Sequence, residues 1–467
     1  MGHNIVVYAV AVSLQGVPSL TTDPGLTSLL PAVVAVVTAL VTRRPIESLL
    51  AGVASGLLLL DTGSALSNFS TILLQVMMDE TIAWVIIVCG LMGSLIALVM
   101  RVGAANAFSR SLAARAKNGN SALLYTWLLG LLIFIDDYLN ALAVGAAMRK
   151  VTDKYQVSRE KLAYVVDSTA APICVLLPVS TWAVFFAGVL ESSDVAAPGE
   201  GIILYVSAIP YMLYAWVAAL LVPLVALGKV PDLGLMKAAE QAAREGTSAP
   251  VQELEDKLSD DAHGAKIYHF LLPIVALLGF SIWYDLDVQL GVIVAVGFTV
   301  VLFGAQGLMS WTEAFDTVMD GIKLMVPALS IVVVAFMFKE VSDRLGMALF
   351  VIESVTPFMT PTNLPLIVFI TMAMISFATG SSWGVFAIAI PIVLPLAASV
   401  GVSAPLAIGA LISASAFGSH ACFYSDATVL AAQGSGCGVM EHALTQIPYA
   451  VIAAVITAIG LTLLAMV

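Results

Sequence analysis

The chain has 467 residues, of which 60% are hydrophobic and only 11% charged, and its mean hydropathy is +1.01. Soluble domains carry roughly 25% charged residues, so this composition excludes an ordinary soluble protein and indicates a polytopic membrane protein. The net charge of −12 comes without a basic stripe, which argues against nucleic acid as a partner.

The predicted membrane spans begin at Leu26. Residues 1–25 precede them, and Val6–Leu14 within this segment is apolar but lacks the basic flank of a cleaved signal peptide. The sequence leaves open whether the segment spans the membrane, lies on its surface or is disordered. The later stretches are mostly near the roughly 20 residues that cross about 30 Å of hydrocarbon. They are Leu26–Thr42, Thr81–Met100, Ile202–Leu227, Gly291–Phe303 with its flanks, and Thr445–Val467.

A helical hairpin is predicted over Ser121–Met148. This apolar segment has basic clusters at both ends, within residues 110–117 and from residue 149 onward. The positive-inside rule places both clusters in the cytoplasm, whereas a single span would put one of them outside. A turn near Asp136 and Asp137 removes the conflict, because each arm of about 14 residues would reach roughly 21 Å into the membrane and return.

The remainder of the first half is predicted to contain a broken helix. Asp167–Trp182 has two prolines and several hydroxyl groups inside an apolar segment. The acidic stretch Glu191–Glu200 is predicted to be external, and Ile202–Leu227 returns to the cytoplasm. The first transmembrane repeat, residues 26–228, would then have five full crossings and one hairpin, and a polar cytoplasmic linker, residues 229–266, follows it.

The second half, residues 267–467, is predicted to be a second repeat. The words SLLPAVV at Ser28 and FLLPIVA at Phe270 lie 242 positions apart, and VMRVG at Val99 and SDRLG at Ser342 lie 243 apart. Because the first repeat crosses an odd number of times, the second starts on the opposite side of the membrane, and the two are inverted.

The predicted fold class is an all-α polytopic membrane protein with two inverted-topology repeats. Each repeat would contain a re-entrant helical hairpin and a broken transmembrane helix. The second hairpin is predicted over Leu364–Val400 with its tip at Ala378–Trp383, and the second broken helix over Gly418–Thr428.

The acid pair at the first hairpin tip suggests ion exchange. One aspartate at the centre of a membrane helix costs about 2.5 to 3.5 kcal/mol, so two need compensation. Two close carboxylates do not both stay ionised without a cation, so protons and metal ions would compete for them. Unwound backbone and hydroxyl groups at the other breaks also suit hard cations. The candidate ion- or substrate-binding residues are Asp136, Asp137, Asn140, Asp167, Ser168, Thr169, Thr379, Gly380, Ser381, Ser382, His420, Ser425, Asp426 and Thr428.

Among these candidates, Asp136, Asp137 and Asp426 are predicted to hold a transported sodium ion rather than a structural metal. The alternative for the acid pair is that one aspartate caps a helix and the other faces water. For His420 the alternative is a packing histidine with satisfied hydrogen bonds. The hydroxyl groups can also bond to the backbone of their own helices.

The run FIDDYLNALAVGAAMRKVTDKYQVSREKLAYVVDSTAAP, Phe134–Pro172, closely resembles the signature of the NhaC-type sodium/proton antiporter family. Three later stretches, Gly380–Leu396, Ser425–Cys437 and Thr445–Ala450, are similar to the second-half motifs of that family. The resemblance implies the fold of the wider ion transporter superfamily, with inverted repeats and a site where two hairpin tips meet. It assigns the site role to Asp136, Asp137, Asn140, Ser168, Thr169, Ser382, Ser425 and Asp426.

One departure from the family pattern concerns the substrate. Where family members commonly read GDHCSPISD, residues 418–426 of this chain read GSHACFYSD, which loses an acid and a proline and gains aromatic rings. Rings near the site could stack on an organic cation, at about 0.5 to 2 kcal/mol for each contact. The alternative is that the rings pack helices. The rings in question are Tyr138, Trp383, Phe423 and Tyr424.

The leading hypothesis is a cation/proton antiporter that moves sodium out and protons in by alternating access. The alternative is a sodium- or proton-coupled transporter of a small organic solute, such as an amine or amino acid. An intramembrane aspartyl protease fits badly because its Gly-x-Gly-Asp pattern is absent, so no enzyme activity is predicted. No cofactor is expected beyond transported Na⁺ and H⁺. The expected partners are the lipid bilayer and the transported cation or solute, a homodimer is compatible with the sequence, and the resemblance implies a prokaryotic cell (inner) membrane.

Overall fold

The structure is a computed structural model. It describes residues 25–42, 44–104, 107–108, 111, 115–134, 137–178, 180–192, 195–197, 199–246, 265–284, 287–380 and 382–466. Every regular element in these ranges is helical, which confirms the all-α prediction. Residues 1–24, Asp136 and Ser381, for which the sequence made predictions, lie outside the described residues, and so do the side chains of Ser382 and Trp383.

The first half of the chain folds into short and long helices that follow one another closely. After a 3₁₀ turn at Leu26–Leu29, its helices are α1 (Leu30–Thr42), α2 (Pro45–Leu60), α3 (Ala65–Met78), α4 (Glu80–Arg101), α5 (Gly119–Leu132), α6 (Asp137–Lys154), α7 (Arg159–Asp167), α8 (Ala171–Leu176), α9 (Thr181–Ser192), α10 (Gly201–Ala208), α11 (Leu213–Ala226) and α12 (Leu235–Glu245).

The second half contains the longest helices of the described chain. They are α13 (Ile267–Trp283), α14 (Val288–Ala305), α15 (Trp311–Arg344), α16 (Met347–Val355), α17 (Leu364–Thr379), α18 (Ser382–Ser399), α19 (Ala404–Ala421), α20 (Asp426–Ser435) and α21 (Val439–Leu464). Several starts are set by local sequence, because a polar N-cap side chain accepts a hydrogen bond from the first turn. These caps are Ser158, Asp287, Ser310 and Ser425.

Corresponding helices in the two halves begin at nearly the same spacing as the repeated sequence words, which lie 242 and 243 positions apart. Pro45 and Val288, which begin α2 and α14, are 243 positions apart, and Asp137 and Ser382, which begin α6 and α18, are 245 apart. In both halves an early pair of helices is followed by a longer stretch, two helices joined at a short break, and a broken helix. This regularity is in keeping with the predicted duplication.

Four helical stretches among the described residues are long and apolar enough to cross a membrane, and there are up to seven if each bent pair counts as one span. The four are Ile82–Arg101, Val288–Ala305, Ala404–Ala421 and Val439–Leu464. The predicted span Ile202–Leu227 is a bent pair: α10 and α11 meet at 53° around a 3₁₀ turn that contains Pro210. Proline bends this segment because it lacks a backbone N–H. The chain is therefore a multi-pass membrane protein.

Helices α5 and α6 fold back on each other as a hairpin. A capping box between Asn118 and Ser121 starts α5, and the helix ends at Leu132. The residues just before α5 and just after α6 lie close together: the Tyr155 hydroxyl donates a hydrogen bond to the Ala116 carbonyl at 2.6 Å. The turn therefore falls where the sequence predicted it, directly before Asp137.

The predicted linker contains a docked helix. Glu240 of α12 is buried and accepts a hydrogen bond from the backbone N–H of Ser158 at 2.8 Å. Lys161, also buried, lies 2.6 Å from the carboxylate of Asp232 and 3.6 Å from that of Glu240. These contacts fasten the first part of the linker to the start of α7.

Candidate functional site

Helices α6 and α20 lie side by side and run in the same direction. At their N-terminal ends the Tyr138 hydroxyl donates a hydrogen bond to the Asp426 carboxylate. Near their C-terminal ends the buried Arg149 donates from Nε to the Gly434 carbonyl at 2.7 Å and from Nη2 to the Gln433 carbonyl at 2.5 Å. A side chain of α6 thus donates to two carbonyls in the last turn of α20, where the regular hydrogen bonds of the helix end.

The two helices touch backbone to backbone between these polar contacts. A Cβ atom on Gly145 would lie 2.4 Å from the Gly434 carbonyl carbon, and one on Gly434 would lie 2.2 Å from the Ala141 oxygen. Contacts this short do not occur for real side chains, so glycine is required at both positions for the helices to approach this closely. The contact determines where the first turns of α6 and α20 meet.

Both first turns carry a buried carboxylate. Asp137 opens α6 with 2% of its surface exposed, and Asp426 opens α20 with 8% exposed. The Asp426 Oδ1 atom accepts a hydrogen bond from the Ala427 N–H at 2.9 Å. Helix N-termini stabilise negative charge, so these carboxylates can hold a charge that burial alone would disfavour. One comes from each half of the chain, and carboxylate oxygens accept either a proton or a hard cation.

Asn140 joins the hairpin turn to the break after α7. Its Nδ2 group donates to the carbonyls of Gly130 and Ile133 at 2.8 Å each and to that of Thr169 at 2.9 Å. Its Oδ1 atom has no hydrogen-bond partner among the described residues. The side chain thus ties the end of α5 to the backbone that follows α7, and its unbonded oxygen lies in the buried interior.

Replacing Asn140 with Ala is expected to lower the melting temperature of the purified protein strongly. Each buried carbonyl left without a donor costs about 1 to 3 kcal/mol, and three carbonyls share the two N–H hydrogens of Asn140. Thermal unfolding in detergent measures the effect. Asn120→Ala is the matched control, because Asn120 is exposed on the same hairpin. Equal melting temperatures for the two variants would contradict this role.

Hydroxyl groups near the breaks bind mainly to backbone. The Ser425 Oγ atom donates to the Ser419 carbonyl at 2.5 Å and accepts from the Thr428 N–H at 3.3 Å, while Thr428 Oγ1 also donates to Ser419 at 3.2 Å. Thr169, just after α7, donates to the Val165 carbonyl of that helix, and Thr379 donates to the Ile375 carbonyl of α17. As ion ligands, these hydroxyls would act through their remaining lone pairs.

The tip of the second predicted hairpin lies against the break between α19 and α20. Gly380 ends α17 with a φ of +67°, a conformation that glycine adopts without strain. A Cβ there would also lie 2.9 Å from the Tyr424 ring, whose hydroxyl donates to the Ala378 carbonyl at 2.7 Å. The aromatic residue that departs from the family pattern therefore holds this tip in place.

Asp167 lies in a second buried cluster. Its Oδ2 atom accepts a hydrogen bond from Gln446 Nε2 at 2.7 Å and lies 3.0 Å from His442 Nε2. None of the three side chains is exposed. Gln446 also donates to the backbone carbonyl of His420. The cluster therefore joins α7, α19 and α21.

His420 has both ring nitrogens engaged in the same region. Nε2 lies 2.9 Å from the Ser168 hydroxyl, and Nδ1 lies 2.7 Å from the Tyr214 hydroxyl. Ser168 and His420 are therefore placed together with Asp167, whereas hydrogen bonds join Asp426 to Tyr138 of α6. The candidates predicted as one site are distributed over two neighbouring clusters.

Three members of the second cluster were not predicted from the sequence: Tyr214, His442 and Gln446. The sequence did contain a sign of this cluster, because His442 and Gln446 stand one helical turn apart in an apolar C-terminal helix, where burying polar side chains costs free energy.

Two of the aromatic residues singled out in the sequence pack against other rings. The rings of Tyr138 and Trp84 lie 6.0 Å apart, and those of Phe423 and Phe377 lie 5.3 Å apart.

Several known proteins are similar in sequence to this chain. A model of the Na⁺/H⁺ antiporter family matches residues 198–466. The sequence is 30% identical to an uncharacterized protein of Haemophilus influenzae, over 93% of this chain and 89% of that protein. The malate-2H(+)/Na(+)-lactate antiporter of Bacillus subtilis is 29% identical over 40% of each chain. The arginine/ornithine antiporter ArcD of Halobacterium salinarum is 26% identical over 40% of this chain and 39% of that protein.

One solved structure aligns along nearly the whole chain. Neisseria gonorrhoeae MtrF, reported in connection with a class of antimetabolite efflux pumps, covers 97% of this chain and is itself covered to 96%. The TM-score of this alignment is 0.39 and the sequence identity is 14%.

Proposed function

The chain belongs to the Na⁺/H⁺ antiporter family, and from that membership we propose that it exchanges sodium for protons across a membrane by alternating access. Membership confirms the resemblance predicted from the sequence motifs and makes the protein a secondary transporter. The direction, sodium out and protons in, and the location, a prokaryotic inner membrane, are parts of the proposal.

The meeting of the first turns of α6 and α20 is the observation that carries the proposal. Asp137 and Asp426 are buried there, and Tyr138 bridges the two helices. Without a cation, two neighbouring buried carboxylates would not both stay ionised. Sodium would bind the ionised carboxylates together with Asn140 Oδ1 and Asp136. Exchange follows when a bound sodium ion and a bound proton exclude each other.

Alternating access would follow from the repeated architecture. The recurrence of helix starts at 243 and 245 positions supports a duplication. We take the two copies as inverted and both hairpins as re-entrant, so that the tip at Thr379, Gly380, Ser381 and Ser382 approaches the site from the side opposite to Asp137. Transport of this kind requires no prosthetic group, and it is compatible with a homodimer.

Sodium added to proteoliposomes of the purified protein is expected to move protons, as reported by a pH dye trapped inside. Potassium is expected to give a smaller signal, because the small hard sodium ion gains more from carboxylate oxygens at short range. Liposomes without protein supply the baseline. A folded, inserted protein that responds to no alkali cation would refute sodium/proton exchange.

A transporter of small organic solutes is the second candidate. Two relatives are named for organic cargo, one for malate and lactate and the other for arginine and ornithine. In this chain the pairing of Tyr138 with Trp84 beside Asp426 would suit an organic cation. Uptake of radiolabelled arginine, ornithine, malate or lactate by the same vesicles separates this candidate from the first.

A further inference from the structure

A carboxylate and an imidazole are buried together away from the proposed sodium site. Asp167 closes α7, and His442 and Gln446 lie one turn apart on α21. Both contacts of Asp167 converge on the same oxygen, Oδ2, at 3.0 Å from His442 and 2.7 Å from Gln446. The other polar atoms of the pair, Asp167 Oδ1 and His442 Nδ1, are buried without a hydrogen-bond partner among the described residues.

The charge of this cluster is not balanced by a fixed cation. Among the described residues, the ion pair recorded for Asp167 is with His442, and none joins it to Lys or Arg. An ionised carboxylate in an apolar interior is costly unless it is paired. One proton on the pair, giving either an imidazolium and a carboxylate or two neutral groups, removes the net charge.

From this geometry we propose that Asp167 and His442 form a proton-binding site that carries the exchanged proton. This inference rests on the proposed antiport and deepens it, because it separates the proton carrier from the sodium ligands. The proton enters from water on one side of the membrane, is bound by the pair and leaves to the other side, and no other bond changes. Gln446 is a positioning residue that holds the carboxylate toward the imidazole.

The neighbouring helices present few other titratable groups to the pair. Tyr164 lies on α7 itself, Tyr214 on α11, His420 on α19 and Asp426 on α20. His420 is already bonded at both nitrogens. Its place between the Ser168 and Tyr214 hydroxyls sets it apart from the Asp167–His442 pair.

Asp426 couples the two sites. Helix α7, which Asp167 closes, packs directly against helix α20, which Asp426 opens. A proton on the Asp167–His442 pair weakens the negative field that attracts sodium to Asp426, and sodium at Asp426 disfavours the proton to the same extent. Mutual exclusion of this kind produces antiport without shared ligands.

The test compares two transport assays on the Asp167→Asn variant in proteoliposomes. One measures exchange of ²²Na⁺ for Na⁺ at equal pH and saturating sodium, and the other measures sodium-driven proton movement with a trapped dye. We expect sodium exchange to stay within about twofold of the wild type while proton movement falls by about tenfold or more. His442→Gln is expected to behave likewise. His269→Gln, which alters another buried histidine bonded to a glutamine, is the matched control and is expected to retain both activities.

Retained proton movement in Asp167→Asn would overturn the proposal, and so would loss of both activities in folded Asp167→Asn and His442→Gln. If the wild type exchanges no sodium, the proposed function fails, and infrared difference spectra still decide the inference. The signal of a buried carboxyl group that titrates with pH is expected in the wild type and in His269→Gln and absent in Asp167→Asn. Identical spectra in the three proteins would overturn it.

Discussion

Asp137→Asn is expected to reduce sodium-driven proton movement by about a hundredfold, because removing one charge from a buried site costs about 2 to 5 kcal/mol. Asparagine has nearly the same shape but cannot ionise or bind a proton on its carbonyl oxygen. Asp137 is 2% exposed in the first turn of α6, where the proposed exchange takes place. The trapped-dye assay in proteoliposomes measures the loss.

Asp153→Asn is the matched control for this prediction. Asp153 lies on the same helix, but its side chain is 39% exposed and its partner Arg159 is 3.4 Å away. Exposed ion pairs contribute about 0 to 1 kcal/mol, so this variant should transport nearly as the wild type does. If Asp137→Asn and Asp153→Asn transported equally well, the proposed sodium site at the start of α6 would be wrong.

Gly434→Ala is expected to destabilise the protein more than any surface substitution and to impair transport with it. The new methyl group of α20 would lie 2.2 Å from the Ala141 carbonyl oxygen of α6. Neither atom can move away without shifting the backbone of a packed helix. Overpacking a tight contact costs about 1 to 3 kcal/mol, and separating α6 from α20 would also pull Tyr138 away from Asp426. Thermal unfolding in detergent and the dye assay measure the two effects.

Gly297→Ala tests whether the effect is specific to this contact. Gly297 lies within α14, and a methyl group there would meet nothing within 4 Å. Alanine is favoured over glycine inside a helix by about 1 kcal/mol, so this control should unfold at the same temperature as the wild type or a higher one. A Gly434→Ala protein as stable as Gly297→Ala would show that the helices can separate without cost.

The sequence by itself determined the class of protein and several of the places where its helices break. Hydropathy is a local property, so spans such as Val288–Ala305 could be predicted from composition and length. The hairpin turn before Asp137 followed from basic clusters at both ends of one apolar segment, and the break after Asp167 from prolines and hydroxyl groups. The 53° bend between α10 and α11 was missed, although Pro210 was available as its signal.

Only the tertiary structure decided which polar groups meet. Tyr138 bonds to Asp426 across 288 positions, and His442 meets Asp167 across 275. Such pairings depend on how helices pack, for example on the glycine contact between α6 and α20, and no local pattern records them. For this reason the sequence predicted one site where the structure has two clusters. A buried polar group must find its partner wherever packing places one, and the sequence shows the need for a partner without showing its identity.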